Sequence, residues 1–192
     1  SAMEDFRLDI LIGQGASART MQIDIAPFTL IGATTRSGLL SNPLRDRFMA
    51  HLNFNYYEPE EIAIILETNA RKMNLTLEKK SLNELAKRSR GTPRIANRIL
   101  RRVRDFAVVE DKNIVEMSQV EKALNLMDID HMGLDAMDRK ILQVILEYYQ
   151  GGPVGIEALS ATLGEDRQTI EEVYEPYLLS KGLLIRSPRG RM

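Results

Sequence analysis

The spacing of apolar residues changes at Glu58-Pro59, and this change constrains the fold more than any other feature of the chain. Before it, apolar residues alternate over residues 7–25 on both sides of a glycine-rich turn, which predicts a β-hairpin. Apolar runs at 28–32 and 51–57 predict two further strands. After it, apolar residues recur at helical spacing. We therefore expect an α/β part up to residue 57, followed by a mainly α-helical part.

The residues after this change predict two groups of helices joined by a polar hinge. The helices are expected at residues 58–73, 78–89, 92–109, 117–126, 135–150, 155–162 and 166–181. The hinge is the segment DIDHMG at 128–133, and a short two-stranded element is expected near 182–192. This division predicts three domains, which are residues 1–57, 58–130 and 131–192.

The composition of the chain excludes several kinds of site. There is no cysteine, which excludes disulfides, thiolate metal sites and cysteine catalysis. The two histidines, His51 and His131, are too far apart in the sequence for a zinc cluster, and we expect no metal ligands in this chain. No apolar run approaches the ~18 residues of a membrane span, and no leader is visible. We therefore expect a cytoplasmic protein without membrane contact.

Two neighbouring segments carry residues that suit a phosphate site. The strand predicted at 28–32 is followed by the hydroxyl groups of Thr34 and Thr35, and the motif LRDRF follows at 44–48. Guanidinium groups bind phosphate oxygens two at a time. An arginine from a neighbouring subunit is also a known means of stabilising charge in phosphoryl transfer. These residues therefore predict a phosphate site that uses hydroxyl groups and an arginine.

A second arginine motif, Gly91-Thr92-Pro93-Arg94, opens the helix predicted at 92–109. In the first turn of a helix, free backbone N–H groups and the helix dipole favour an anion. Arg94 is therefore well placed to touch a terminal phosphate. The other arginines of this helix, including Arg98 and Arg101, are explained equally well by a solvated basic face.

The motifs that grip a nucleotide and its metal ion are missing from the 192 residues. The phosphate-binding loop GxxxxGK[ST] does not occur, and no apolar strand ends in paired acids that would hold Mg²⁺. The chain resembles the later part of a nucleotide motor, without the part that grips the nucleotide. We therefore expect that this polypeptide alone does not hydrolyse ATP.

The end of the chain predicts a winged helix. Residues 154–163 and a second helix from Arg167 have the size of a helix-turn-helix, and the tail KGLLIRSPRGRM carries four cations and no acid. The second helix carries three acids, which repel phosphate and make it a poor reader of DNA sequence: Glu171, Glu172 and Glu175. We expect the basic hairpin to contact DNA without sequence preference. A winged helix used only for protein contact is the alternative.

The motifs together resemble those of the RuvB family of hexameric AAA+ ATPases, which drive branch migration of Holliday junctions in bacteria. The resemblance covers essentially the whole chain. It rests on eight motifs in the same order: MEDFRLDILIG, FTLIGATTRSGLL, PLRDRF, RGTPRIANR with its continuation RRVRDFA, MDRK, GGPVG, EPYLLSKG and RSPRGRM. It implies the end of an AAA+ large domain, a helical lid domain and a winged-helix DNA-binding domain.

The resemblance implies a nucleotide site that takes ATP with Mg²⁺, or ADP. By analogy with the family, Glu4, Asp5 and Phe6 border the nucleotide. Tyr57 contacts it at the domain junction, and Arg94 is the second sensor, which couples the angle of the lid to the γ-phosphate.

The resemblance also assigns catalytic roles. Thr34 and Thr35 fall at the first sensor, where a hydroxyl group helps to position the attacking water. Arg47 corresponds to the arginine finger that is offered to the ATP of the next subunit, and Arg45 is the near alternative.

The partners implied by the resemblance are DNA and other proteins of recombination and repair. Arg167, Arg186 and Arg191 correspond to contacts of the head with duplex DNA at the Holliday junction. The hairpin at 7–25 corresponds to the element that docks on RuvA, and RuvC joins the complex that resolves the junction. The implied assembly is a homo-hexameric ring.

Two other functions remain open at this point. A non-enzymatic winged-helix regulator would bind DNA with strong sequence preference, would have no use for LRDRF or GTPR, and conflicts with the acidic second helix. A clamp-loader-like AAA+ scaffold would offer an arginine finger without binding ATP. Clamp-loader subunits, however, end in a helical collar rather than a basic wing.

Overall fold

The computed structural model describes residues 2–13 and 19–192. The chain divides into two compact units, with the boundary between Phe54 and Asn55. The first unit carries a β-hairpin and short helical turns, and the second is built from helices around two apolar cores.

The hairpin predicted at 7–25 is confirmed for its described residues. Strands β1 (Arg7–Ile12) and β2 (Arg19–Asp24) are antiparallel, with a register that runs from Arg7 opposite Asp24 to Ile12 opposite Arg19. The predicted turn at 13–15 lies largely in residues 14–18, which are outside the described residues. All residues of both strands are exposed, so the hairpin presents its leucine and isoleucine side chains to solvent.

The strands predicted at 28–32 and 51–57 do not form, and these two predictions were wrong. A strand exists only where its backbone N–H and C=O groups pair with a neighbouring strand. Among the described residues of the first unit, β1 and β2 pair only with each other. The apolar side chains of both segments are exposed, as Ile31 and Phe54 show with exposures of 88% and 89%. The apolar run at 28–32 and the alternation at 51–57 therefore suit a sheet, but neither segment pairs with a neighbouring strand.

Two short helical elements complete the first unit. A 3₁₀ turn at Ser37–Leu39 precedes helix α1, which spans Asn42–Arg45 and leads into the LRDRF motif. No residue in the described part of this unit is buried. The first unit therefore has no core of its own within the described residues.

The second unit begins with a helical domain, the lid. Its elements are α2 (Pro59–Lys72), β3 (Thr76–Leu77), α3 (Lys79–Arg88), α4 (Pro93–Val109), β4 (Ile114–Val115) and α5 (Met117–Leu126). Helix α2 begins with a capping box, in which the side chains of Glu58 and Glu61 satisfy backbone N–H groups at its start. The two short strands pair in parallel, and Leu66, Ile99 and Leu100 are fully buried in the core.

A winged helix, the head, completes the second unit. Its elements are α6 (Ala136–Tyr149), α7 (Ile156–Leu163), α8 (Arg167–Thr169), a π-helical segment (Ile170–Tyr174), α9 (Glu175–Ser180), β5 (Arg186–Ser187) and β6 (Gly190–Arg191). Strands β5 and β6 form the wing, and Arg191 also pairs with Val154 across the loop before α7. A Cβ at Gly190 would lie 2.3 Å from the Val154 carbonyl oxygen, so this close approach requires glycine.

The seven predicted helices are confirmed, with each end within about two residues of its predicted position, the usual uncertainty of helix ends. The last of them runs through α8, the π-helical segment and α9. The predicted two-stranded element is also confirmed, as β5 and β6. None of the described helices is long and apolar enough to cross a membrane.

Candidate functional site

The LRDRF motif places Arg47 beside an acid that the family resemblance assigns to the nucleotide site. The Arg47 Nε atom lies 3.1 Å from Glu4 Oε2, and its Nη1 donates a hydrogen bond of 3.4 Å to the Pro43 carbonyl oxygen. Both side chains of the ion pair are about a third exposed or more. A surface ion pair of this kind contributes only ~0–1 kcal/mol, so Arg47 can leave Glu4 at little cost.

The threonines of the predicted first sensor are both exposed, and Thr34 stabilises the local backbone. Thr34 Oγ1 accepts a hydrogen bond of 3.0 Å from the Arg36 backbone N–H group, which orders the turn after residue 33. The polar contacts of Arg47 are made to Glu4 and Pro43 and to neither threonine. The aromatic ring of Phe6 packs edge-on against Phe28, with 6.2 Å between ring centroids, at the base of the hairpin.

The turn between α3 and α4 brings two predicted nucleotide contacts together. The Tyr57 backbone N–H group donates a hydrogen bond of 2.9 Å to the Gly91 carbonyl oxygen, and Arg94 lies in the first turn of α4, which begins at Pro93. Gly91 has a φ of +60°, and a Cβ there would lie 2.6 Å from the Tyr57 carbonyl oxygen. Glycine is therefore required where the chain passes Tyr57.

One face of α4 carries cations without acidic partners. Arg94, Arg98 and Arg101 are exposed and form no ion pair within the described residues. Arg102 and Arg104, in contrast, both pair with Asp105. Because Arg94 stands beside the free N–H groups that begin the helix, a phosphate bound there would meet both a dipole and a guanidinium group.

In the head, the arginines predicted to contact DNA are paired with acids of the head itself. Arg191 is buried, and its Nε donates a hydrogen bond of 2.7 Å to Glu175 Oε1 while its Nη2 donates one of 2.8 Å to Glu171 Oε1. Arg186 also pairs with the fully buried Glu175. Arg167 pairs with Glu157 at 2.7 Å and with Glu171 at 3.3 Å.

The contacts of Arg191 and Glu171 favour the charged forms of these two groups. Burial acts to lower the pKa of Arg191, but hydrogen bonds and attraction from Glu175 and Glu171 outweigh it and raise that pKa above its ordinary value. Burial acts to raise the pKa of Glu171, but Arg191 and Arg167 outweigh it and lower that pKa. DNA phosphates would have to displace these carboxylates to reach the three arginines.

The same pairs correct the expectation that the second helix is an acidic surface. Glu175 is fully buried and Glu171 is partly buried, and both carboxylates point to the wing arginines. These two acids therefore neutralise the wing rather than face an approaching phosphate. Sequence spacing alone did not show this, because Glu175 and Arg191 are sixteen residues apart.

Three family models match the chain in succession. The descriptions are a "Holliday junction DNA helicase RuvB P-loop domain" at residues 1–54, a "RuvB AAA lid domain" at 57–130 and a "RuvB C-terminal winged helix domain" at 131–192. The chain belongs to the RuvB family. The fold follows the same order, with the end of an α/β domain, a helical AAA lid and a winged helix.

Curated relatives and solved structures agree with this membership. The chain is 54% identical over 191 residues to a Holliday junction branch migration complex subunit RuvB of Paramagnetospirillum magneticum, covering 100% of the chain and 55% of the relative. It is 54% identical over 192 residues to the RuvB subunit of Kosmotoga olearia, covering 100% of the chain and 56% of that relative. The chain thus spans little more than half the length of these RuvB proteins.

The solved structures include the Thermotoga maritima RuvB Holliday junction branch migration motor. It superimposes with a TM-score of 0.85 at 48% sequence identity, covering 100% of this chain and 59% of the Thermotoga chain. A mutant of the same RuvB gives a TM-score of 0.87, also at 48% identity, covering 100% of this chain and 60% of the mutant chain.

The residues of this RuvB chain fit a nucleotide phosphate better than they fit a metal ion. The start of α4, with its free N–H groups and unpaired Arg94, has the donors that a phosphate needs. Within residues 2–13 and 19–192, no three His, Cys, Asp or Glu side chains cluster closely enough to hold a metal ion.

One arginine of the predicted basic hairpin has no acidic partner in the described structure. Arg189 lies between β5 and β6 at the tip of the wing, is exposed and forms no ion pair in the described structure. The segment Pro188-Arg189-Gly190 forms the turn of the wing and places Arg189 at the end of a two-residue loop. Arg186 and Arg191 both pair with Glu175, so Arg189 differs from them in having no competing carboxylate within the described residues.

Proposed function

We propose that this chain is part of an ATP-driven motor subunit that promotes branch migration of Holliday junctions in recombination and repair. The observation that carries the proposal is the turn at Gly91, which holds Tyr57 by a backbone hydrogen bond and presents an unpaired Arg94 at the start of α4. It is supported by relatives that are named as subunits of a Holliday junction branch migration complex. We place the motor in the cytoplasm, where bacterial DNA is processed.

In this proposal the three domains have different tasks. Residues 1–57 form the end of the large ATPase domain, 58–130 the lid and 131–192 the head. Glu4, Asp5 and Phe6 border ATP, Tyr57 contacts it at the junction of large domain and lid, and ADP occupies the same site after hydrolysis. Mg²⁺ binds together with ATP in this proposal.

Catalysis in this proposal requires two neighbouring subunits of a hexameric ring. Arg47 leaves its surface ion pair with Glu4 and stabilises the charge that develops on the γ-phosphate of the next subunit. Thr34 and Thr35 position the attacking water. Arg94 touches the γ-phosphate and couples its presence to the angle of the lid.

The head and the hairpin supply the contacts outside the ring. The exposed hairpin, residues 7–25, docks on RuvA through its apolar side chains, and RuvC joins when the junction is cleaved. The head grips the DNA backbone of the junction arms through its basic surface, with Arg167, Arg186 and Arg191 reaching phosphate only by exchanging their carboxylate partners. A sequence-specific regulator is disfavoured, because LRDRF and GTPR would then have no role.

The test of this function is an ATP turnover and junction assay on the full-length protein. We expect Arg47→Ala to retain ATP binding, to abolish ATP hydrolysis and to stop the RuvA-dependent conversion of a synthetic four-way junction into duplex products. Arg45→Ala is the matched control, because Arg45 belongs to the same motif and its side chain makes no ion pair in the described structure.

Three outcomes of this assay are informative. Loss of turnover in Arg45→Ala but not in Arg47→Ala would move the finger to Arg45 and leave the motor intact. Loss of ATP binding in Arg47→Ala, with normal hydrolysis of the nucleotide that is bound, would contradict its role in catalysis. An unmodified full-length protein that binds one DNA sequence tightly and does not move junctions would contradict the motor itself.

A further inference from the structure

Arg90 joins the lid to the head through several polar contacts at once. Its Nε donates a hydrogen bond of 2.7 Å to the Gly133 carbonyl oxygen, and its Nη2 forms ion pairs with Asp138 and, at 3.3 Å, with Asp135. The Arg90 side chain is 10% exposed and that of Asp138 is fully buried. A single lid residue is therefore enclosed by the start of α6.

The head depends on Arg90 to satisfy a buried carboxylate. Asp138 Oδ2 accepts from Arg90 and from the Asp135 backbone N–H group at 2.9 Å, while Oδ1 is buried without a hydrogen-bond partner. Burial raises the pKa of Asp138, and the backbone hydrogen bond of Asp135 and the charge of Arg90 act against that rise. Arg90 is the cation that compensates for burying this acid.

An aromatic ring closes the same junction from another side. The Arg90 guanidinium carbon lies 4.8 Å from the centroid of the Tyr177 ring, and the Tyr177 hydroxyl group donates a hydrogen bond of 2.8 Å to the Met132 carbonyl oxygen. A Cβ at Gly133 would lie 3.1 Å from the Arg88 carbonyl oxygen and 3.3 Å from the Tyr177 hydroxyl. The hinge segment thus packs directly against the turn that follows α3.

The residues directly after Arg90 include two that the proposed nucleotide site uses. Gly91 accepts the hydrogen bond from Tyr57, and Arg94 stands three residues further along at the start of α4. Arg90 itself has a φ of +55°, so the backbone reverses here and sends its side chain to the head while the next residue meets Tyr57. The five consecutive residues 90–94 therefore include the contact with the head through Arg90, the contact with Tyr57 through Gly91, and the proposed phosphate sensor Arg94.

We propose that Arg90 is a positioning residue that couples nucleotide sensing to movement of the head, by clamping the head to the turn that carries Tyr57 and Arg94. The proposal rests on the proposed motor function. Lid and head then rotate as one body when Arg94 responds to the γ-phosphate. A flexible joint at residues 130–133 would instead absorb that rotation before it reached the DNA.

The first experiment compares ATP hydrolysis with junction movement in the full-length protein. Arg90→Met keeps the aliphatic stem and removes the charge and the donors. We expect its ATP hydrolysis to stay within about two-fold of the unmodified protein and its junction migration to fall roughly ten-fold, a coupling loss of ordinary size for linked sites. Arg71→Met is the matched control, because Arg71 is an exposed lid arginine whose ion pair with Glu67 lies within one helix.

A double variant separates clamping from the burial of charge. Arg90→Met alone leaves Asp138 buried without its cation, which by itself destabilises the head. Arg90→Met with Asp138→Asn removes both charges, and we expect it to recover thermal stability without recovering junction migration. Recovery of migration in the double variant would overturn the clamp, because Arg90 would then serve only to neutralise Asp138.

A distance measurement tests the clamp without relying on activity. Asn125 in α5 and Gln168 in α8 are exposed, and residues 1–192 contain no cysteine. Spin labels at Asn125→Cys and Gln168→Cys, in a full-length protein with any other cysteine replaced by serine, report the lid–head distance. We expect one narrow distance that is unchanged by ATP, and a broad distribution in Arg90→Met. A broad distance distribution in the labelled protein that retains Arg90 would overturn the clamp. An unchanged narrow distribution in the labelled Arg90→Met variant would overturn it too. If the labelled protein gives one narrow lid–head distance but does not move junctions, the result contradicts the proposed motor function and supports the contact through Arg90.

Discussion

Gly91 occupies a backbone position that other residue types fill only with strain. Its φ is +60°, and a Cβ there would lie 2.6 Å from the Tyr57 carbonyl oxygen and 2.8 Å from Tyr56 Cβ. Two separate penalties therefore oppose any side chain: the left-handed conformation and the overlap with the Tyr56-Tyr57 backbone. The second penalty acts on the segment that we assign to the nucleotide site.

We predict that Gly91→Ala destabilises the full-length protein and weakens ATP binding. Gly164→Ala is the control, because Gly164 also has a positive φ, of 69°, but a Cβ there meets nothing within 4 Å. The left-handed conformation costs ~1 kcal/mol in both variants, and the overlap adds ~1–3 kcal/mol in Gly91→Ala alone. Thermal unfolding and nucleotide titration measure the two effects. Equal losses of stability in Gly91→Ala and Gly164→Ala would show that Tyr57 moves aside to admit the new side chain.

In the wing, pairing with carboxylates determines which arginines are available to bind phosphate. The helix formed by α8, the π-helical segment and α9 supplies Glu171 and Glu175, and the wing supplies Arg186 and Arg191. The buried part of this network holds the wing against the helix. Arg189, at the tip, takes no part in it.

We predict that substitutions of two wing arginines affect different properties of the head. Arg189→Ala should leave unfolding unchanged and weaken binding to duplex DNA, with the salt dependence of the binding constant reduced by roughly one phosphate contact. Arg191→Ala should destabilise the head by ~3 kcal/mol, because it removes a cation from the buried Glu175. DNA binding across a salt series and thermal unfolding of both variants measure the contrast. Weaker DNA binding with unchanged stability in Arg191→Ala would return that residue to its predicted role as a direct contact.

At the scale of the whole molecule, burial is confined to the second unit. The lid and the head each contain an apolar core, whereas no described residue of the first unit is buried. Large apolar side chains in the first unit, such as Met49 at 104% and Ile31 at 88%, are fully or mostly exposed. The first unit therefore depends on additional protein surface to cover these side chains.

We predict that residues 55–192 fold when produced alone and that residues 1–54 do not. The reason is that apolar burial, which drives folding, is available only to the longer piece. Circular dichroism with thermal unfolding should give a cooperative transition for 55–192 and none for 1–54. Hydrogen exchange gives the second readout, and protected amides in the hairpin of isolated 1–54 would contradict the prediction.

Much of the fold was predictable because its signals are local. The seven helices follow from apolar spacing and from capping residues such as Glu58 and Asp135, which act within one turn of the chain. The two strands at 28–32 and 51–57 were not predictable in the same way, because a strand needs a partner that its own pattern does not specify. The proposed sites divide similarly: Arg94 was predicted from the start of a helix, whereas the pairing of Arg90 with Asp138 joins residues that are forty-eight positions apart.

The sequence by itself determined the family, the order of the helices and the residue types available for phosphate. Only the tertiary structure decided which cations are free to bind it. Arg191 and Glu175 are sixteen residues apart and Arg90 and Asp138 are forty-eight apart, yet both pairs are in contact and buried or nearly so. Charge pairing depends on distance in space and on the removal of water, and neither quantity can be read from the order of residues along a chain.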